Sequence, residues 1–117
     1  MNYSAIPGVV YTYPEVAGVG ETEETLKAKN FNYHIHKLPM TFSGRFVAEN
    51  EGGTGTCKIL AAEDGKILGV HLIGNPSSEL ITIATLAIEQ DLTVSQWKKS
   101  VFPHPTVGEI LKETLFE

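Results

Sequence analysis

Alternation of apolar and polar positions dominates the middle of the chain. Two runs rich in Ile, Leu, Val and Ala, residues 56–62 and 66–73, flank Glu63-Asp64-Gly65. An Asp-Gly pair suits the positive φ of a tight turn, so a β-hairpin is predicted. Residues 31–38 alternate aromatic or aliphatic with polar side chains, the pattern of a half-buried strand. Val16 to Gly20 reads as a short Gly-rich strand. Residues 6–14 read as extended chain broken by Pro7 and Pro14. Residues 40–50 fit neither period, and residues 51–55, with three glycines, form a turn.

Helical spacing appears in four places. Thr22 is a plausible N-cap, followed by Glu23 and Glu24 and closed by lysines and Asn30, which predicts two turns. Residues 77–90 give the clearest helix. Glu79, Thr82, Thr85, Glu89 and Gln90 fall on one arc of about 140° at 100° per residue, and apolar side chains fill the rest. A helix with so narrow a polar face must bury two sides. One side can lie on the sheet; the other calls for a further layer or a second subunit. Thr93-x-x-Gln96 has capping-box form and predicts a short helix. Thr106-x-x-Glu109 has the same form and predicts a last helix from near Thr106, carrying Ile110, Leu111, Thr114 and Leu115. Strands and helices are segregated along the chain, so the expected fold class is α+β, an antiparallel sheet with helices packed on it.

The 117 residues suit one domain, 1–117. A net charge of −5 with no Lys/Arg cluster argues against nucleic acid as a partner. No stretch reaches the roughly 20 apolar residues of a membrane span, and the first eleven residues do not resemble a signal peptide. The single cysteine, Cys57, rules out an internal disulfide and a Cys-x-x-Cys motif in this chain. It fits a reducing cytoplasm, and as a strand residue it reads as a buried, inert thiol.

The candidate chemistry lies in His104-Pro105-Thr106-Val107-Gly108-Glu109. Histidine, with an unperturbed pKa of about 6.5, suits proton transfer near neutrality. A carboxylate that orients its ring makes it a better base. Glu109 sits in the predicted first turn, so the chain can fold back to join the two. The same spacing also fits an ordinary helix start beside a surface histidine. His34 and His36 share a strand face, which reads as solvated; with His104 they define an alternative metal hydrolase. His71 reads as a packing or edge residue. The 52–55 glycine turn precedes a strand, the wrong order for a phosphate loop. Gly74-Asn75-Pro76-Ser77-Ser78 joins a strand to a helix, and a serine N-cap explains it better than a nucleotide. No metal, flavin or nicotinamide site is expected in the chain itself.

Several segments together resemble the C-terminal dimerisation domain of the pyridine nucleotide-disulfide oxidoreductases, most of all its dihydrolipoamide dehydrogenase branch. Ile6-Pro7-Gly8-Val9-Val10-Tyr11-Thr12 is similar to that domain's opening, and Gly20-Glu21-Thr22-Glu23-Glu24 to the entry of its first helix. Gly44-Arg45 is similar to its Asn-Gly-Arg loop, with Ser43 in place of Asn. Lys58-Ile59-Leu60 and residues 65–74 match the central hairpin, Ser78-Glu79-Leu80-Ile81 the interface helix, and His104-Pro105-Thr106 with Glu109 the His-Pro-Thr-x-x-Glu motif. Phe102 stands where many relatives carry another His, and Gly108 where Ser is commoner.

The resemblance implies a homodimer and a piece of a larger FAD- and NAD-dependent flavoenzyme, inactive alone. It makes His104 the catalytic acid/base and Glu109 its partner, delivered to the redox disulfide of the other subunit, with Pro105 near that subunit's flavin and a cis His104–Pro105 bond. It implies a small dithiol/disulfide or lipoyl-carrying protein as substrate, and the acyltransferase component of a 2-oxo acid dehydrogenase complex as a partner. Alternatives are a stand-alone homodimeric protein-binding module and the interface domain of a glutathione-reductase-like enzyme.

Overall fold

A computed structural model describes residues 5–117; residues 1–4, included in the one-domain expectation and in the leader reading, lie outside it. Five strands form one antiparallel sheet: β1 (Gly8–Val10), β2 (Val16–Gly20), β3 (Tyr33–Pro39), β4 (Thr56–Ala62) and β5 (Ile67–Ile73), in the order β1-β2-β5-β4-β3. The helices are α1 (Glu23–Ala28), α2 (Gly44–Glu49), α3 (Ser77–Glu89), α4 (Val94–Lys98) and α5 (Glu109–Thr114). The α+β expectation therefore holds.

The β4–β5 hairpin forms the centre of the sheet, and its Gly65 takes φ +94°, a conformation open mainly to glycine. Gly69 answers a different need. A Cβ there would lie 2.0 Å from the Glu21 carbonyl oxygen, so only glycine lets the end of β2 come this close. His71, in the same strand, is not an edge residue, because β2 and β4 flank it on both sides. It is half-buried, and its Nε2 donates to the Glu21 carbonyl oxygen at 2.8 Å.

Alternate positions of the central strands, Ala17, Val19, Val70, Leu72, Cys57 and Ile59, all enter the main core. α3 packs on β2 and β5, and α5 on β3 and β4. α5 and its C-cap bring Ile110, Leu111 and Leu115 to this core, each at most 1% exposed. Fully burying such a side chain stabilises by about 1.5–3 kcal/mol. Thr114 on the same helix is also buried, and its hydroxyl donates to the Ile110 carbonyl at 2.6 Å.

Part of the second layer expected over α3 comes from the chain itself. Val107 joins the core beside Leu80, and Gly108 packs close enough that a Cβ there would touch both Leu80 and Ile83. Leu86 alone of the large apolar α3 side chains is more than half exposed, at 55%. The chain itself thus covers part of the second side of the apolar stripe and leaves Leu86 open at the surface.

The helix starts follow the sequence in two of four cases. Thr22 caps α1 and Thr93 caps α4, each in a reciprocal capping box, with Thr25 and Gln96. α3 differs: Pro76 occupies the cap position without a side-chain cap, and the Ser77 hydroxyl turns back to the Gly74 carbonyl. The Ser78 amide is served instead by the carboxylate of Glu15, which lies on the chain just before β2. α5 also differs. It begins at Glu109, three residues later than expected: no side chain caps it, and the Thr106 hydroxyl donates to the Pro103 carbonyl at 2.8 Å and accepts no helix amide. The unassigned 40–50 region folds as a short 3-10 helix, Met40–Phe42, followed by α2. Within the extended opening, β1 pairs with β2 at the sheet edge.

Candidate functional site

The segment from Lys99 to Gly108 links α4 to α5 and is tied down at several points. Trp97, 3% exposed, anchors the end of α4, and Val107, 5% exposed, plugs into the core. Lys112 Nζ donates to the Ser100 carbonyl at 2.7 Å. Between these anchors the loop rises to the surface and carries His104, whose side chain is 83% exposed, in front of Glu109, at 20%. The His104–Pro105 peptide bond is cis, as the resemblance implied.

Three hydrogen bonds converge on the Glu109 carboxylate. The Thr106 amide donates to Oε1 at 2.8 Å, and His104 Nδ1 lies 3.0 Å from Oε1 and 2.9 Å from Oε2. The Thr106 amide, first, and the His104 ring hold the Glu109 carboxyl below its ordinary range. Glu109 is therefore ionised at neutral pH and can only accept, so Nδ1 carries the shared proton. In the neutral ring the lone pair therefore sits on the other nitrogen, Nε2, which has no protein partner among the described residues. The result is a base with an orienting carboxylate behind it and an open front.

The other candidates do not join this pair. His36 Nδ1 donates to the Glu117 carbonyl oxygen at 2.7 Å, so its side of β3 is partly covered, not wholly solvated, while His34 is exposed. No group of three His, Cys, Asp or Glu that could hold a metal occurs among the described residues, and the His34–His36–His104 set is not assembled. Cys57 is fully buried, and burial pushes its thiol up to about 12, outweighing the opposing effect of the neighbouring Thr114 hydroxyl.

The start of α3, the strand-to-helix junction that carries a glycine, does not fit a nucleotide phosphate. The Glu15 carboxylate already accepts the Ser78 amide at 3.1 Å and the Ser78 hydroxyl at 2.8 Å there, and a second anion would meet its charge. Sequence reading gave no function to Ser43, Arg45 or Glu15. The resemblance did point at the Gly44-Arg45 loop, but the contacts of Arg45 with Pro105 and of Ser43 with Thr106 cross 60 and 63 positions and leave no periodic trace.

Fold and site together define a class: an antiparallel sheet whose C-terminal helix, with the loop before it, presents a histidine–carboxylate pair at the surface. The chain belongs to the pyridine nucleotide-disulphide oxidoreductase dimerisation-domain family, whose model matches residues 6–115. It is 44% identical over 114 residues to dihydrolipoyl dehydrogenase 2, mitochondrial, of Arabidopsis thaliana, covering 97% of this chain and 22% of that protein. Dihydrolipoyl dehydrogenase 3 of Pseudomonas putida is 41% identical, covering 97% of this chain and 24% of that one. The chain thus spans about a quarter of the length of the curated relatives it matches. Because mitochondrial and bacterial proteins both occur among these relatives, the family does not carry a compartment with it.

Among solved structures, LpdA from Mycobacterium tuberculosis superposes with a TM-score of 0.88 at 22% identity, over 99% of this chain and 25% of that one. The HOCl-induced flavoprotein disulfide reductase RclA from Escherichia coli gives 0.87 at 24% identity, over 95% of this chain and 26% of that one. At such identities the likeness shows the fold alone.

Proposed function

We propose that this chain is the dimerisation domain of a FAD- and NAD-dependent dihydrolipoamide dehydrogenase, and that it supplies a His104–Glu109 acid/base pair to the redox disulfide of a second subunit. One observation carries the reading: His104 Nδ1 is bound to the Glu109 carboxylate at 2.9 Å while Nε2 faces outward. Membership of the family and the dihydrolipoyl dehydrogenase names of its relatives support the choice of substrate.

The chemistry follows from the thiol. A dithiol attacks a disulfide only as thiolate, and a free thiol with a pKa near 8.5 is mostly protonated at pH 7. His104 Nε2 takes the proton from the substrate thiol. The resulting thiolate attacks one sulfur of the disulfide, forming a mixed disulfide and releasing the other sulfur as thiolate. Glu109 stabilises the imidazolium meanwhile, and in the reverse direction His104 returns the proton. With one buried cysteine, this chain cannot hold that disulfide itself. The oxidising chemistry belongs to the FAD and NAD of the complete enzyme, with Pro105 of this chain close to the flavin of the other subunit. Lipoyl-carrying proteins, and through them the acyltransferase component of a 2-oxo acid dehydrogenase complex, are the corresponding partners.

In the complete flavoenzyme, His104→Gln lowers turnover by roughly 10²–10⁴-fold, the range of one general acid/base, with flavin content unchanged. Turnover within twofold of wild type would remove His104 from the mechanism.

A further inference from the structure

The His104–Glu109 pair is held from outside by α2, an element with no atom in the pair. The connection runs through a single peptide unit. The Pro105–Thr106 amide donates its N–H to Glu109 Oε1 at 2.8 Å, and its C=O accepts from Arg45 Nη1 at 3.3 Å. A peptide is planar, with N–H and C=O on opposite edges in the trans form, so fixing one edge orients the other. A donor on the carbonyl also polarises the unit and strengthens the N–H it offers to Glu109.

The next carbonyl is gripped as well. The Ser43 hydroxyl donates to the Thr106 carbonyl at 3.2 Å and accepts the Phe46 amide at 3.2 Å, which caps α2. Ser43 is only 5% exposed, so water does not compete freely for either bond. Arg45 is oriented by Glu49, one turn further along α2, at 3.0 Å. Two successive carbonyls after His104 are therefore tied to the start of one helix, and the amide between them meets the carboxylate.

We propose that Arg45 and Ser43 are positioning residues for the acid/base pair, acting on Glu109 through the Pro105–Thr106 peptide. The proposal rests on His104 being the acid/base of the Proposed function. It assigns to the start of α2 the task of setting the distance between Glu109 and the ring, not of binding substrate.

The test uses the complete flavoenzyme and separates kcat from KM. Arg45→Met removes the donor from a half-exposed side chain and is expected to lower kcat about 5- to 10-fold, leaving KM for the dithiol within twofold. Arg45→Lys restores part of that loss. Ser43→Asp and Ser43→Asn are matched in size and both can cap α2, but only Asn can donate to the Thr106 carbonyl. The Asp variant should therefore lose kcat and the Asn variant should keep it. A loss confined to KM, or equal losses in the Asp and Asn variants, would show a role other than positioning. If His104→Gln is inactive while Arg45→Met and Ser43→Asp keep wild-type kcat, the inference falls and the acid/base reading stands. If His104→Gln is itself near wild type, the acid/base reading falls first.

Discussion

Glu15 and Ser78 lie 63 positions apart, yet the Glu15 carboxylate accepts both the amide and the hydroxyl of Ser78 at the start of α3. The Glu15 amide in turn donates to Asn75 Oδ1 at 2.8 Å, so the chain before β2 and the head of the helix are stitched in both directions. A distant acid does here what a neighbouring serine was expected to do. It brings a full negative charge to the positive end of the helix dipole as well.

Replacing Glu15 with Ala should therefore act like loss of an N-cap and cost about 1 kcal/mol. Thermal unfolding followed by circular dichroism would register this as a fall of roughly 4–8 °C in Tm. Glu15→Gln, which keeps an acceptor oxygen, should lose less. If both variants melt with the wild type, the carboxylate is not capping α3 in solution.

Glu109 makes the stability of the domain depend on pH in a defined direction. Its folded carboxyl titrates below the ordinary value because the Thr106 amide, then His104, bind the ionised form. The unfolded chain, with a carboxyl near 4.3, binds the proton more readily. The contribution is therefore complete above about pH 5 and is lost as pH falls through the lowered folded value. Urea titrations of wild type and Glu109→Gln should differ at neutral pH and converge in acid. A gap that stays constant down to about pH 3 would contradict the pairing.

Cys57 should be chemically silent in the native state. Its side chain is fully buried, and its thiol is pushed up to about 12. A thiol-specific disulfide reagent at pH 8 should label no cysteine in native buffer and one equivalent in denaturant. Prompt labelling without denaturant would mean that α5 lifts readily from β4.

Leu111 is the apolar anchor under the site, with no exposed surface. Leu111→Ala should cost about 2–5 kcal/mol, read from the denaturant midpoint, since the packed sheet and α5 cannot close over the gap. A loss below about 1 kcal/mol would mean that α5 holds its place without this contact.

Legibility in the sequence followed the range of the interaction concerned. The β4–β5 hairpin announces itself through alternation and Asp64-Gly65, and the α1 and α4 caps through Thr22 and Thr93, because each is settled within a few residues. α2 is not legible in that way. With six residues it is too short to show a period, and its start is held by Ser43, whose hydroxyl reaches across to Thr106. The start of α5 was misplaced for a related reason. Thr106 has the right residue type for a cap, but only its amide meets Glu109, while its hydroxyl points to the Pro103 carbonyl and accepts no helix amide.

The residues alone were enough to specify an α+β chain, a central hairpin and a histidine within reach of a glutamate, since periodicity, turn chemistry and short spacing all act locally. They could not specify which face of the imidazole stays open, what caps α3, or which element steadies the loop. Those depend on Glu15, Ser43 and Arg45 arriving from far along the chain, and only the packing of α3 and α5 against the sheet brings them there. A hydrogen bond has a reach of about 3 Å in space whatever the sequence separation.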